Sequence, residues 1–410
     1  MNVQDVSAVR RVPQRAARVA VVEPVGGHGG MDFSNHALCS ALAAEGWMPL
    51  LLTSQAMKYT AASYTTWEVY RGVFGAAPKW RRGIRHVVAT VSGLYRARRM
   101  GVKVAHFHVF HVGLLQYFGL LLGRLLGMRI VLSAHDVGSF RAGESHRILT
   151  LSYRASDAII AHSDRGRIML TDTFGVPGSK VFAVPLGNYE GFLPPLPNDT
   201  ASKRSFGFNA DDFVVLFFGQ IKRVKRLDLL LAATALARRN GAAKIRLLVA
   251  GSAADSDMDA LRRLIEDEGL VDIVQLHACY IGNEDLPRYF AAADLCALPY
   301  DNIFQSGVIL LAMSNDVPVL TSDIPGMLEI VEHGRTGLTF RAGDVEDLAD
   351  RLIEASRGSW DMISLAEGAR DVVRTRHGWA NCARISIDAY TFAIGATRSR
   401  KEVVDDRVAY

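Results

Sequence analysis

A cluster of basic residues follows an apolar segment in the second half of the chain. The segment Phe213 to Phe218 leads through a glycine to Gln220, Lys222, Arg223 and Lys225. A lysine supplies a point charge for a diphosphate, and nearby helix-terminal amides also favour anions. Because charge runs are often only solvated turns, that alternative stays open.

A second candidate anion site stands at the start of a predicted helix. Gln305, Ser306 and Gly307 follow the predicted strand Leu295 to Pro299. The first amides of a helix have no partner within it and can face a phosphate or a sugar hydroxyl, and glycine allows a close approach. The alternative is that Ser306 simply caps the helix, since serine is a preferred N-cap residue.

Several histidines follow strands in the first half of the chain. His135 stands just after the predicted strand Ile130 to Ala134, where an imidazole could hydrogen-bond a ligand hydroxyl or serve only as a structural residue. His106, His108 and His111 form a second group. We interpret that group as strand-end packing, because no carboxylate or cysteine completes a metal site at familiar spacing.

A glycine-rich turn follows the first predicted strand. The strand Arg18 to Pro24 leads into Gly26-Gly27-His28-Gly29-Gly30 and then into a helical pattern from Phe33 to Glu45. The turn lacks the G-x-G-x-x-G spacing, and no acidic residue follows a second strand at the usual place. A dinucleotide-dependent oxidoreductase is therefore disfavoured.

The elements around these residues alternate between short apolar strands and helices through most of the chain. Such alternation predicts an α/β fold with parallel, doubly wound sheets, and a Pro-rich segment divides it in two. We expect two Rossmann-like domains facing each other across a cleft. The predicted bounds are an N-terminal Rossmann-like domain at 15–192, a linker at 193–204, a C-terminal Rossmann-like domain at 205–380, a helix at 381–397 packing back on the N-terminal domain, and a charged tail at 398–410.

Composition is that of a globular protein. Of 410 residues, 49% are hydrophobic, which is enough for packed cores. The four cysteines include no CxxC pair and no secretory signal precedes them, which favours a reduced, cytoplasmic chain. The longest apolar stretch, Val112 to Met128, falls short of a bilayer span, and we predict a buried helix there.

The formal net charge of +5 is unevenly distributed. The segment from Lys79 to Lys103 holds eight lysines and arginines around an apolar pattern. This combination suits a helix lying on an anionic membrane, and equally a solvated helix that packs its apolar stripe on a sheet. No nucleic-acid module is present, so we expect no nucleic-acid partner.

Several motifs together resemble glycosyltransferase family 4. The C-terminal landmarks are the run 217–225, the segment 312–319 and the segment 329–338 followed by Gly343-Asp344. The N-terminal landmarks are the segments 29–31, 135–136, 161–163 and 185–188, so that the similarity extends from about Arg18 to Tyr390. The resemblance implies the two-domain GT-B fold, a nucleotide-diphosphate sugar donor, no metal or other cofactor, and retention of anomeric configuration.

The resemblance also implies roles for single residues. Gly29 and Gly30 match the family's glycine loop, which approaches the donor phosphates. Lys225 matches the lysine that neutralises the diphosphate leaving group, and His135 matches the histidine that faces the donor sugar. Tyr280, after a predicted strand, is a candidate neighbour of the donor base by position alone.

Two departures from the family pattern affect the donor site. Gln220 stands where arginine is common, although Lys222 and Arg223 could restore that charge. Ile303 and Leu311 occupy the places of a glutamate pair, and leucine cannot accept ribose hydroxyls. The donor must then be held differently; the candidate residues are Asp301, Asn302, Gln305 and the backbone amides around Ser306 and Gly307.

The resemblance therefore predicts a retaining glycosyltransferase, and we expect a hexosyltransferase that binds its donor mainly in the C-terminal domain and its acceptor mainly in the N-terminal domain. We expect its acceptor to be a growing glycan or a polyprenyl-diphosphate-linked glycan in polysaccharide, including exopolysaccharide, biosynthesis. The predicted location is the cytoplasm, with peripheral contact at the inner membrane face. A sugar-nucleotide epimerase and a non-catalytic nucleotide-sugar-binding partner are the alternatives, the second because of the missing glutamates.

Overall fold

The computed structural model describes residues 17–27, 31–55, 58–137, 145–253 and 255–405. The chain forms two compact units. Unit 1 contains residues up to 162, residues 167–184 and residues from 382 onward. Unit 2 contains residues 163–166 and 185–381.

Unit 1 is built on a seven-stranded sheet in the order β3-β2-β1-β4-β5-β6-β7. All neighbouring strands are parallel. The strands are largely buried and apolar, as expected when helices cover both faces. They are β1 (Arg18–Glu23), β2 (Met48–Thr53), β3 (Thr65–Trp67), β4 (Val104–Val109), β5 (Arg129–Ala134), β6 (Ala158–Ala161) and β7 (Val181–Ala183).

The helices between these strands are α1 (Met31–Ala44), α2 (Lys79–Arg99), α3 (Leu114–Leu125), α4 (His146–Ala155) and α5 (Asp164–Asp172). The prediction of a buried helix at 112–128 is wrong for one face of α3. Leu114 and Leu125 are 72% and 85% exposed, because only the inward residues, such as Leu120, pack on the sheet. Apolar composition alone did not distinguish the two faces.

Unit 2 contains a six-stranded parallel sheet in the order β10-β9-β8-β11-β12-β13. Its strands are β8 (Phe213–Phe218), β9 (Ile245–Ala250), β10 (Val274–His277), β11 (Leu295–Leu298), β12 (Val319–Ser322) and β13 (Leu338–Phe340). Its helices are α6 (Asp199–Ser205), α7 (Leu227–Arg239), α8 (Asp255–Asp267), α9 (Leu286–Ala291), α10 (Gly307–Ser314), α11 (Pro325–Leu328), α12 (Val345–Ser356) and α13 (Met362–Thr375). Residues of α7, α8 and α12 pack in one core cluster, and residues of α9, α10 and α13 pack in another.

The strand order reverses at one place in each sheet. In unit 1 the chain winds outward from β1 to β3 and then returns to β4 on the other side of β1. In unit 2, β9 and β11 flank β8 in the same way. Ligands of doubly wound sheets bind at the carboxyl ends of the strands beside this reversal. In unit 2 those ends lead into the segments after β8 and β11.

The segment predicted as a linker at 193–204 is partly helical. Asn198 accepts a hydrogen bond from the Ala201 amide and caps α6. Lys203 of α6 is buried, and its ammonium lies 2.7 Å from an Asp294 carboxylate oxygen. The division between the units falls earlier, after Val184, because these contacts join α6 to unit 2.

The last helix, α14 (Trp379–Asp405), is longer than the helix predicted at 381–397. From Cys382 onward it belongs to unit 1. The Tyr390 hydroxyl lies 2.8 Å from Nδ1 of His106, and its ring packs 5.2 Å from that of Trp47. Part of the predicted charged tail is therefore helix, and 406–410 lie outside the described residues.

Within the described parts of the chain, every helix is too short or too polar to cross a bilayer.

Candidate functional site

A tight turn follows β8 at the reversal of strand order in unit 2. Gly219 has a φ of +99°, which glycine adopts readily, and its amide donates to the Ala250 carbonyl at 2.9 Å. The Ile221 amide donates to the Ser252 carbonyl at 2.8 Å. A Cβ on Gly251 would lie 2.0 Å from the Gly219 carbonyl oxygen. These contacts fix the turn against the end of β9.

The turn places the ammonium group of Lys225 above Gly219. A 3-10 helix, Arg223–Lys225, brings the side chain back over the turn, and a Cβ on Gly219 would lie only 2.7 Å from Lys225 Nζ. The same point is 3.3 Å from Cγ2 of Val308, in the first turn of α10. The predicted lysine and the predicted helix start therefore meet at one glycine.

Lys225 packs on an aromatic ring. Its Nζ lies 5.2 Å from the centre of the Tyr300 ring, within the range of a cation–π contact. The ion pairs of the described residues do not include Lys225. Burial, together with the nearby charge of Lys222, lowers the pKa of Lys225 to about 8. The group therefore remains mostly charged at pH 7, and no carboxylate in the described part of the chain pairs with it.

The neighbouring Arg226, unlike Lys225, forms ion pairs with carboxylates of the described residues. Its guanidinium lies 3.1 Å from Asp228 and 2.8 Å from Asp301. Asp301, predicted as a donor-binding residue, thus already pairs with a cation, and its amide donates to the Val224 carbonyl at 3.0 Å. This pairing leaves Lys225 as the better-placed cation for a ligand.

The helix start at Ser306 and Gly307 is confirmed as the beginning of α10. Ser306 is buried at the N-cap, yet its side chain makes no capping hydrogen bond. A Cβ on Gly307 would lie 3.1 Å from the hydroxyl of Tyr189. The first amides of α10 and its dipole add to the positive potential near Lys225.

The remaining residues that were predicted to bind the donor are Gln220, Tyr280 and Gln305. Gln220 is exposed on the turn, and Tyr280 is 71% exposed after β10. Gln305 is partly buried next to the helix start, while Leu311 is buried within α10. Leu311 has no carboxylate that could bind the donor. The roles of Gln220, Tyr280 and Gln305 in donor binding remain predictions.

A pocket of about 580 Å³ lies beside the turn that follows β8. Ala260, Leu261 and Leu264 of α8 provide an apolar wall. Lys222 and Arg223 line it as exposed cations. The pocket can accept a ligand that is partly apolar and partly anionic.

Unit 1 presents a second candidate centre around His135, directly after β5. The His135 side chain is buried, and its Nε2 lies 3.1 Å from Nδ1 of His108 on β4. Its ring stacks between those of Phe110 and His162. Burial, together with neighbouring imidazoles, holds the pKa of His135 well below its usual value, so the ring is neutral at pH 7.

The interpretation of the other histidines as strand-end packing is wrong for His111 only. His106 is a packing residue, since its Nδ1 lies 2.8 Å from the Tyr390 hydroxyl and its Nε2 lies 2.8 Å from Ser133 Oγ. His108 contacts the candidate site residue His135. His111 is exposed. No group of metal-ligating side chains that could hold an ion occurs among the residues described.

Gly29 and Gly30 lie outside the described residues, but the structure shows how their loop begins. The buried carboxylate of Glu23 accepts hydrogen bonds from the amides of Val25 and Gly26 and from Asn35 Nδ2, each at 2.8 Å. Burial raises the pKa of Glu23 to about 6, against these hydrogen bonds. Sequence reasoning missed Glu23, although a carboxylate after the apolar run of β1 was a usable signal.

Two family models match the chain. One, described as Glycosyltransferase Family 4, matches residues 28–187, and another, described as Glycosyl transferases group 1, matches residues 212–357. The chain belongs to glycosyltransferase family 4. It is therefore a glycosyltransferase, as its sequence motifs predicted.

Related proteins with this activity cover the chain to different extents. The D-inositol 3-phosphate glycosyltransferase of Pseudarthrobacter chlorophenolicus is 26% identical over 416 residues, or 94% of this chain and 96% of the relative. The protein of the same name from Kineococcus radiotolerans is 29% identical over 257 residues, only 58% of either chain.

Solved structures share the fold at low sequence identity. Sucrose-phosphate synthase from Thermosynechococcus elongatus has a TM-score of 0.73 and 19% identity, covering 93% of this chain and 100% of its own. Anabaena HepE in complex with UDP has a TM-score of 0.70 and 16% identity, covering 91% and 99%. With two parallel Rossmann-like sheets, the fold of the family member described here is GT-B.

Proposed function

We propose that the chain is a retaining glycosyltransferase that uses a nucleotide-diphosphate sugar and glycosylates an acceptor at a membrane surface. The observation that carries the donor assignment is Lys225, beside Gly219 and the first turn of α10. Its ammonium group forms no ion pair with a carboxylate of the described residues. A diphosphate supplies the negative charge that this arrangement lacks. The UDP bound to Anabaena HepE supports the same ligand class.

The chemistry proposed here is a single group transfer. The acceptor oxygen bonds to the anomeric carbon, the bond from that carbon to the diphosphate oxygen breaks, and the acceptor proton passes to the departing diphosphate. Negative charge grows on the diphosphate as its bond breaks, so Lys225 and the α10 amides stabilise the transition state more than the ground state. Retention requires attack on the face from which the diphosphate leaves.

His135 is assigned the contact with the donor sugar. Its neutral imidazole can share a hydrogen bond with a hydroxyl, and its two stacking rings limit rotation out of plane. A fixed ring orients the sugar at little entropic cost. This assignment is supported by the family motif at His135-Asp136 and by the geometry around the ring.

The acceptor proposal depends on two helices of unit 1. Helix α2 exposes an apolar stripe at helical spacing, and α3, which packs against α2, exposes another. Arginines accompany the first stripe along α2. The stripes comprise Trp80, Ile84, Val88, Val91 and Tyr95 on α2, and Leu114, Phe118, Leu121 and Leu125 on α3.

A surface that exposes both apolar side chains and arginines is suited to binding an anionic membrane. Rows of exposed apolar side chains on two helices that pack together indicate an interaction surface. The arginines add electrostatic attraction to anionic headgroups. A membrane-bound acceptor, such as a polyprenyl-diphosphate-linked glycan of polysaccharide or exopolysaccharide assembly, follows as the proposed class, with the enzyme at the inner face of the membrane.

A soluble inositol phosphate is the second candidate acceptor, because the relatives named above are D-inositol 3-phosphate glycosyltransferases. An acceptor panel decides between them. Purified enzyme is mixed with UDP-, ADP- and GDP-sugars and with either D-inositol 3-phosphate or a polyprenyl-diphosphate glycan in vesicles, and nucleoside diphosphate release and the glycoside are measured. Turnover with the lipid acceptor supports the proposal, and turnover with inositol phosphate alone contradicts it.

The same assay tests transfer itself. An isomerised nucleotide sugar without glycoside would indicate an epimerase, and donor binding without any product would indicate a non-catalytic protein. Either result would reject the proposed transferase reaction. A retained anomeric configuration in the glycoside, determined by NMR, is the expected stereochemical result, and inversion would overturn that part of the proposal.

A further inference from the structure

The start of helix α5 is capped by a carboxylate from a distant segment. The two oxygens of Glu329 accept hydrogen bonds from the backbone amides of Asp164 and Arg165, each at 2.9 Å. These amides stand in the first turn of α5, where the helix itself provides no acceptor. Residues 163–166 and Glu329 belong to the same unit, unit 2. Within that unit, Glu329 therefore fixes the backbone of Arg165.

The side chain of Arg165 reaches the segment between β11 and α10. Its Nη1 donates to Oδ1 of Asn302 at 3.1 Å and lies 3.4 Å from the carbonyl oxygen of Ile303. Its guanidinium carbon lies 5.0 Å from the centre of the Phe304 ring, within the range of a cation–π contact. One guanidinium thus contacts three consecutive residues.

Packing holds the same segment as well. The Ile303 side chain packs on the core cluster of unit 2 that includes Leu310. A Cβ on Gly326 of α11 would lie 2.2 Å from the Ile303 carbonyl oxygen, so this close approach requires a glycine. Position 303, where the family pattern has a glutamate, is therefore used for packing, and Arg165 supplies the polar contacts of the segment.

The segment leads directly to the candidate donor site. Asn302 belongs to it, Gln305 follows it, and α10 begins at Gly307. The first amides of α10 stabilise a diphosphate only when they point at it, so a displaced segment would misdirect them. The contacts of Arg165 thus bear on the geometry of the donor site.

We propose that Arg165 is a positioning residue that holds segment 302–304 in the conformation that binds the donor, and that Glu329 fixes Arg165 in turn. A segment that is already ordered binds a nucleoside diphosphate more tightly, because less conformational freedom is lost on binding. The effect on donor affinity rests on the proposed function, whereas the holding of the segment does not.

Hydrogen–deuterium exchange of the full chain without ligand measures how firmly the segment is held. With sub-second labelling, we expect peptides covering 302–310 to exchange about 3- to 10-fold faster in R165A than in the parent. R335A is the matched control, because Arg335 is an exposed arginine of unit 2 that pairs with Glu332 at 3.2 Å. Equal exchange in folded R165A and R335A would overturn the proposal.

Two further variants separate positioning from packing. R165K keeps a charged donor but loses the planar fork, so it should restore part of the protection. E329Q replaces one acceptor oxygen with an amide group that cannot accept an N–H, so the same peptides should exchange faster although Arg165 is still present. Parent-like exchange in E329Q would contradict the role of Glu329. Should R165A fail to fold, parent-like exchange in R165K would overturn the proposal instead.

Donor affinity adds a second readout. Calorimetric titration with the tightest-binding of UDP, ADP and GDP should give a dissociation constant about 3- to 30-fold higher for R165A and unchanged for R335A. In turnover, KM for the nucleotide sugar should rise more than kcat falls, as expected for a residue that does not touch the reacting atoms. Equal affinity in R165A and the parent would reject the role in donor binding.

Failure of the proposed function gives a different pattern. If the parent binds no nucleoside diphosphate, the donor assignment fails, while the exchange rates still decide whether Arg165 holds the segment. If R165A exchanges faster and yet binds the nucleoside diphosphate as tightly as the parent, the link from the held segment to donor binding is rejected.

Discussion

The ammonium of Lys225 rests on the face of the Tyr300 ring, with Nζ 5.2 Å from the ring centre. Tyr300 is fully buried after β11, at the reversal of strand order. The ring stabilises a cation through its quadrupole without neutralising it, unlike the two aspartates beside Arg226. Charge held in this way remains available to an incoming diphosphate.

Replacing Tyr300 by leucine should weaken nucleoside diphosphate binding. Leucine keeps an apolar side chain but removes the ring face, so affinity for the tightest-binding of UDP, ADP and GDP should fall about 3- to 30-fold, in line with a partly desolvated cation–π contact. Tyr300→Phe retains the ring and serves as the control. Calorimetric titration measures both, and an equal loss in the two variants would argue against the ring's contribution.

Binding of the nucleoside diphosphate should depend on pH because Lys225 loses its charge as the pH rises. Its pKa is lowered to about 8 by burial, and a bound diphosphate raises it again, so binding is coupled to proton uptake. Affinity should therefore be full below pH 8 and weaken as pH rises past it, by up to about tenfold per pH unit.

The control for this pH dependence is Lys225→Arg. A guanidinium stays charged throughout the range, so its binding curve should be flat between pH 7.5 and about 9.5. A parent curve as flat as that of Lys225→Arg would mean that Lys225 does not titrate against the ligand.

The strand pattern of the long, buried strands was predictable from sequence, because continuous apolar runs such as Phe213 to Phe218 leave few alternatives. The three-residue strands β3, β7 and β13 were missed, since so short a segment carries no period. Helix α6 was missed because the prolines before Asn198 dominated the pattern over the capping signal.

Sequence reasoning predicted several residues of the candidate site but not the contacts between them. Lys225 and the start of α10 were identified from sequence, whereas Tyr300 was not, because a cation–π pair between residues 75 positions apart leaves no local signal. The His108–His135 contact depends on the register of β4 against β5. Register is set by tertiary packing and is weakly visible in a single sequence.

Membrane binding should depend on the apolar stripes of α2 and α3. Val88→Glu and Leu125→Glu place a charge on side chains that are 60% and 85% exposed, so folding should be little affected. Burying one such side chain is worth on the order of 1–2 kcal/mol, so each substitution should weaken binding to phosphatidylglycerol vesicles by about tenfold.

Ile363→Glu is the matched control, since Ile363 is 74% exposed on α13 in unit 2. Co-sedimentation at low and high salt measures binding, and high salt should reduce it because the arginines of α2 contribute. If all three variants bind phosphatidylglycerol vesicles as tightly as the parent, or if the parent does not bind these vesicles, the stripes of α2 and α3 are not a membrane-binding surface.

The most direct test of the account is the rate at which Lys225→Ala releases nucleoside diphosphate in the presence of acceptor. Lys244→Ala is the matched control, because Lys244 is an exposed lysine of the same unit whose ammonium pairs with Asp211. Loss of a group that stabilises the leaving diphosphate should lower kcat by about 100- to 1000-fold, with Lys244→Ala close to the parent. If folded Lys225→Ala turns over at the parent rate, stabilisation of the leaving group by Lys225 is contradicted.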